Sequence, residues 1–436
     1  MRRAGLSLLV AGMILLLVGT AVAANPYGTD YDFKGQTVYF CSWVPGVPGR
    51  FLEGGEAEGR LEQAEALFNV KIEFIAPGAY DQIGQAYIAR LMAGESVRDV
   101  WHLQNLWGFF DVGPAGALYP LNEIYASIPD FQVSGLSETM SLNGEIYAME
   151  LGSSSADNRY LDLGLYMVAY NKELLEREGL PDPHELWANG EWTWEAMTEI
   201  VSKATRDTNG DGQTDQWGVN LIPPEAFILS AGGFPYTQGA DGKMVFAYDS
   251  PQVIGALTQM AAWRQAGYQH DSWHFDGFKN GNVALAFGAM WLLADIRPSM
   301  EFEYGVVPYP LAPGETEYHY ITHALDFRAI PVNAENPRAL LALNAFLFDD
   351  GPEAVEQYNR VQMGRLAPNR ETGVVLQAAI EAWKGETVLP GYTHPLFAQV
   401  LTPAMWQVLN GEKTAAAAMA EIRPVAQALI DDMFNQ

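Results

Sequence analysis

The sequence predicts an α/β fold in two domains, on three observations. At 436 residues the chain exceeds what one hydrophobic core usually supports. A hydrophobic content of 49% excludes a disordered chain. Strand-like and helix-like patterns then alternate in its first third at the spacing of a parallel sheet covered on both faces.

The elements follow in order. Met1, Arg2 and Arg3 precede the uncharged run LSLLVAGMILLLVG, and Ala21-Val22-Ala23 stands before Ala24 and Asn25. A charged start, an apolar stretch and a small-residue cleavage site make residues 1–24 a signal peptide. A retained membrane anchor is the alternative, because no charge reappears until Asp30. The polar NPYGTD that follows fits a processing site better. With no cysteine at the cleavage point a lipid-anchor signal is lacking, so a periplasmic or otherwise extracytoplasmic location is expected.

After this leader, QTVYFCS reads as a strand, EAEGRLEQAEALFN as an amphipathic helix and VKIEFIAP as a second strand. YDQIGQAYIARLMAG reads as a helix stopped by Gly94, and VRDVWHLQ as a third strand. The Ser/Gly-rich stretch within YAMELGSSSADNRYLDLG suits a crossing between domains. Thr193 caps TWEAMTEIVSKAT, and Ser250 with Pro251 opens a helix that Gly267 ends. The alanine run after Thr414 reads as a C-terminal helix interrupted by Pro424.

Charge and cysteine usage exclude several functions. Fifty-three acidic residues against 25 basic ones give a formal net charge of −28, which repels nucleic acid and anionic lipid surfaces. Cys41 is the single cysteine, so an intramolecular disulfide and a CxxC site are excluded. In TVYFCSW it reads as a small buried apolar residue.

Several phrases resemble, in order, the family 1 extracellular solute-binding proteins of ABC importers, the group that includes maltose-binding protein. They are VKIEFIAPGAYDQIGQAYIARLMAGESVRDVWHL, GALYPL, NGEIYAME, VAYNKELLEREGLPDP, WTWEAM, DTNGDGQTDQWG, FKNGNVALAFGAMW, YGVVPYPLAPG and RAIPVNAENPRALLALNAFL. The resemblance implies a two-lobed periplasmic-binding-protein-like (class II) α/β fold, with three interlobe crossings and a ligand cleft between the lobes. It implies a first lobe of 25–148 plus 292–347 and a helix-rich second lobe of 149–291 plus 348–436. It also implies a small-molecule carbohydrate as ligand, ABC transporter permease subunits as membrane partners, a monomer, and no cofactor.

A sugar presents apolar ring faces rimmed by hydroxyls, so its site needs flat aromatic platforms with convergent Asp, Gln or Arg side chains. The chain holds 12 Trp, 20 Tyr and 20 Phe, although aromatic residues also fill cores. By the resemblance, Trp291 after FKNGNVALAFGAM is a stacking platform. Gly288, Ala289 and Met290 replace the polar residues that precede that tryptophan in the maltose binder. Ligands of open α/β sheets collect beyond the carboxyl ends of strands, which selects Trp43, His102, Gln104 and Trp107, while Trp101 reads as a buried strand residue. By the resemblance, His323, Asp326 and Arg328 in ITHALDFRAIP precede a strand that returns beside the cleft, where Asp326 could accept from sugar hydroxyls and Arg328 could donate in a fork, an internal pair between them being the alternative. Phe234 and Tyr236 follow Gly232-Gly233 in a second-lobe loop where relatives place an aromatic contact.

DTNGDGQTD supplies Asp207, Asn209, Asp211 and Asp215 at calcium-loop spacing, but Gly218 occupies the twelfth position, where a bidentate Glu is needed. An Asx-rich structural turn is the preferred reading and a calcium loop the alternative. His270 with His274 and His319 with His323 have i, i+4 spacing without the Glu of a zinc motif, so neither pair is taken as a metal site. No nucleophile elbow, P-loop or dinucleotide fingerprint occurs, and a binding protein is expected rather than an enzyme. A secreted glycosidase drawing on Glu145, Glu150, Asp157 or Asp326 stays open, as do an acidic scaffold and a polyol, glycerol phosphate or polyamine cargo.

Overall fold

Alternating apolar residues and short Gly-bounded helices give the chain two sheets. The computed structural model describes residues 25–134, 137–138, 140–150, 165–322, 324–382 and 391–434. The expected signal peptide, the expected serine-rich crossing with Asp157, and His323 lie outside them.

The first unit runs β1 (Thr37–Cys41), α1 (Arg60–Phe68), β2 (Lys71–Ile75), α2 (Ile83–Met92), β3 (Asp99–Gln104) and the single turn α3 (Phe109–Val112). Strand β1 lies parallel to β2 on one side and to β3 on the other. Gly94, at φ 71°, stops the chain after α2 as expected. Cys41 is buried, with its thiol pushed up by burial.

The second unit holds β4 (Leu165–Asn171), α4 (Trp194–Ala204), β5 (Trp217–Leu221), α5 (Pro224–Ser230) and α6 (Pro251–Gln265). It continues through β6 (Gln269–Trp273), β7 (Val283–Ala289), α7 (Met290–Ile296), β8 (Tyr304–Val307) and β9 (Ile321–Thr322). Its sheet order is β6-β5-β7-β4-β8, with β9 also on β4. The Thr193 and Ser250 side chains accept from Ala196 N and Val253 N, so both helix starts are where the capping pattern puts them.

Strand β10 (Asp326–Ala329) then returns to the first sheet, antiparallel to β3, with Asp326 opposite Gln104 and Arg328 opposite His102. This corrects the expected first-lobe segment of 292–347. Strands β8 and β9 hydrogen-bond to β4, so the chain stays with the second sheet until Thr322. An apolar strand such as YGVV satisfies either sheet, and only pairing decides between them. Helix α8 (Pro337–Phe348) covers one face of the first sheet beside α1.

The chain leaves again through Asp349–Asp350 for α9 (Gly351–Leu366), α10 (Arg370–Ala382), α11 (Thr402–Leu409) and α12 (Ala415–Phe434). This exit is clamped. Arg50 Nη2 donates to both Asp350 carboxylate oxygens at 2.6 Å, and Arg60 Nη1 binds the same carboxylate. The entry and return segments also touch, through Met149 N donating to Arg328 O at 2.8 Å. Among the described residues no helix is long and apolar enough to cross a membrane.

Candidate functional site

The carboxyl ends of β1 and β3 carry a polar cluster fixed by three elements. His102 sits between Ser42 Oγ, 3.0 Å from Nδ1, and Asp326 Oδ1, 2.7 Å from Nε2. Gln104 Nε2 donates to the same Asp326 oxygen at 2.8 Å. Trp43 lies flat on the His102 ring, with centroids 4.2 Å apart at 22°. Strand register explains the grouping, because direct cross-strand partners share a face. Asp326 remains 54% exposed, so a carboxylate with unused acceptor sites stands beside an aromatic plane.

Trp107 extends this surface. Its ring meets Tyr80 edge-on at 4.9 Å and Tyr392, from the C-terminal region, at 5.8 Å. Tyr392 belongs to the seam between the two units. At neighbouring Gly391 an added Cβ would fall 2.1 Å from Leu106 O, so only glycine permits this approach. Gly391→Ala is therefore expected to force the seam apart, with a cost of about 1–3 kcal/mol. A lowered melting temperature together with weakened ligand affinity would show it. Beside the seam, Leu325 N donates to Asn105 Oδ1 at 2.7 Å, which pins the return segment where the chain changes sheets.

The second unit faces the seam with a different chemistry. Glu225, in the first turn of α5, is buried, and burial pushes its carboxyl up to about 6. Burial, and after it the nearby Glu225 charge, disfavours ionisation of the Tyr166, Tyr248, Tyr309 and Tyr392 phenols. Sequence reasoning missed this group. A glutamate after a strand and two prolines, in VNLIPPEAF, was the available signal.

The other expected residues fall as follows. Trp291 stands on α7, two residues beyond β7, and is 43% exposed. Ala289, two residues before this tryptophan, pairs with Tyr166. Trp101 is fully buried and stacks on Tyr87 at 4.7 Å, as a strand residue should. Arg328 departs from expectation. Its guanidinium lies 3.5 Å from the centre of the Phe348 ring, and burial with nearby Arg50 brings it down to about 10. Asp326 Oδ1 is taken by His102 and Gln104, while the Arg328 guanidinium is turned to the Phe348 ring. Phe234 is exposed, whereas Tyr236 packs its ring on Phe434 at 4.7 Å with its hydroxyl buried. Glu150, a candidate acid, is buried and accepts from Ser134 N at 2.7 Å.

Asp207 accepts from Gly210 N and Gly212 N at 2.7 Å, Asn209 from Asp211 N and Asp211 from Gln213 N at 2.8 Å. Asp215 accepts from Thr208 N at 2.8 Å, so the segment is an Asx-rich turn. His270 Nδ1 lies 2.8 Å from Ser272 Oγ, and His319 Nε2 3.4 Å from Glu315.

Comparison with known proteins agrees with this architecture. The family model described as bacterial extracellular solute-binding protein matches residues 60–372. No match is found among curated proteins. Among solved structures, UgpB from Mycobacterium tuberculosis in complex with glycerophosphocholine is 19% identical, with a TM-score of 0.63 over 91% of this chain and 98% of that one. The ABC substrate-binding protein Lmo0181 from Listeria monocytogenes in complex with cycloalternan is 15% identical, with a TM-score of 0.62 over 91% and 98%. The GacH receptor of Streptomyces glaucescens, solved unliganded and with acarbose, is 16% identical, with a TM-score of 0.62 over 91% and 99%. The fold is thus that of the two-lobed solute-binding proteins, and with more than half its length matched, the chain belongs to the bacterial extracellular solute-binding protein family.

Proposed function

We propose that the protein is the extracytoplasmic binding subunit of an ABC importer and that its cargo is a sugar or oligosaccharide. The observation that carries this is the Asp326 carboxylate, held by His102 and Gln104 beside the Trp43 plane at the strand ends. A fixed acceptor next to a flat apolar surface matches a sugar's hydroxyl rim and ring face.

In this reading Trp43, Trp107 and Trp291 supply ring platforms, while Asp326 and Gln104 order the hydroxyls. Phe234 rims the second lobe, and Arg328 and Tyr236 support the site by packing. The first lobe captures the ligand and the second closes over it about the Asn105–Leu325 and Asp350 connections. The closed form is the one recognised by the permease. ATP is hydrolysed by a separate subunit, and this chain performs no chemistry. The domains follow as 25–150 with 326–348 for the first lobe and the remaining described residues for the second, after removal of the signal peptide 1–24.

A thermal-shift screen of the chain from Asn25 onward tests the cargo against sugars, sugar acids, polyols, amino acids and polyamines. A ligand at about a hundredfold its Kd adds roughly 2.7 kcal/mol, a shift of a few degrees. A shift with one carbohydrate group, weakened about tenfold or more in affinity by Trp291→Ala, is expected. Shifts confined to amino acids or polyols, or hydrolysis of chromogenic glycosides, would contradict the reading.

A further inference from the structure

The second half of the site contains polar groups that the fold itself leaves unanswered. Glu225 is 8% exposed, Tyr309 2% and Tyr248 fully buried. Both of these phenol oxygens lack a hydrogen-bond partner among the described residues. Among the described residues no salt bridge to the Glu225 carboxyl is formed, and its own backbone N–H is the donor that steadies it. Tyr166 and Tyr392 bond to each other, and Tyr392 meets Trp107 of the first lobe. The cluster therefore lies one ring away from the platforms already described.

A carboxylate is acceptor-only, and burying one without a counter-charge costs several kcal/mol. Replacement by leucine or glutamine would spare that cost in a purely structural position. A neutral hydroxyl offers such a group a single donor. A protonated amine offers a full charge and up to three donors, and tyrosine faces add cation–π attraction to it. A metal ion fits poorly, since no group of three or more His, Cys, Asp or Glu able to hold one occurs among the described residues. The strongly acidic chain would also favour the approach of a cation.

We propose that Glu225, Tyr248 and Tyr309 form a subsite for a positively charged nitrogen, so that the cargo is an amine-bearing carbohydrate. The carbohydrate part rests on the function proposed above; the nitrogen part rests on this cluster alone.

Calorimetric titration of the chain from Asn25 tests it with matched pairs at neutral pH: glucosamine against glucose, and the chitosan disaccharide against cellobiose. Choline and spermidine probe nitrogen without a sugar. The amine member is expected to bind about tenfold or more tighter than its neutral partner, and Glu225→Gln to erase that preference. Tyr309→Phe should narrow it while leaving the melting temperature near wild type. Equal binding of the paired sugars, or a preference that survives Glu225→Gln, overturns the nitrogen subsite and leaves the carbohydrate reading standing. Glu225-dependent binding of choline or spermidine with no sugar bound does the reverse. Failure of every nitrogen compound to bind also overturns the subsite.

Discussion

Asp350→Ala lowers the unfolding free energy by about 3–5 kcal/mol, because it leaves two largely buried guanidinium groups without their shared partner. Arg50 and Arg60 converge on that one carboxylate, and all three side chains are less than one-fifth exposed. The clamp ties the first lobe to the point where the chain departs for α9, so its loss should also loosen the lobes. Urea denaturation reads the stability change, and hydrogen exchange around residues 349–351 reads the loosening. A loss below about 1 kcal/mol, the value of an exposed ion pair, would contradict the structural weight given to this contact.

Glu225→Gln is expected to stabilise the ligand-free protein at pH 7.5. Burial raises the folded-state carboxyl to about 6, whereas an unfolded chain holds a glutamate near about 4.3. Below the lower value both states are protonated and the folded protein has its full stability from this group. Between the two values the folded state binds more protons than the unfolded, so stability falls as pH rises. Above about 6 the loss is complete and amounts to roughly 2 kcal/mol. The neutral amide removes this slope, so the variant should exceed wild type by up to about 2 kcal/mol at pH 7.5 and match it near pH 4. Parallel melts across that range test the sign. A Glu225→Gln variant that is less stable at pH 7.5, or whose difference from wild type is independent of pH, would contradict an uncompensated buried carboxylate.

A group that lowers stability, placed in the proposed nitrogen subsite, is what a binding site retains for its ligand. The same logic separates what the sequence made legible from what it hid. The strand and helix order of the first lobe was legible because β1, α1, β2, α2 and β3 each carry their own period and stop signal. Thr193 and Ser250 were legible because capping is chemistry over three residues. Gln104 follows from its position at a strand's carboxyl end and Asp326 from the resemblance, and only the pairing of β3 with β10 brings them onto one another.

Other features depend on contacts between distant segments. Tyr166, Tyr248, Tyr309 and Tyr392 are scattered over half the chain, and each alone reads as an ordinary apolar residue with a polar tip. His102 alternates correctly for a strand, and nothing local shows that Ser42 and Asp326 hold its two nitrogens. Arg328 is a further case. Its neighbour Asp326 offered an internal pair as the alternative to a ligand-facing fork, and nothing local shows that Phe348 from α8 lays its ring against the guanidinium. The lobe assignment of residues 304–322 failed for the same reason, since β8 and β9 are defined by their bonds to β4.

Closure of two lobes over a bound sugar is measured by small-angle X-ray scattering of the chain from Asn25, with and without the carbohydrate that gives the largest thermal shift. A smaller radius of gyration is expected in the bound state, with Gly391→Ala remaining expanded under the same ligand concentration. An unchanged radius at saturating ligand would contradict closure as the mode of binding.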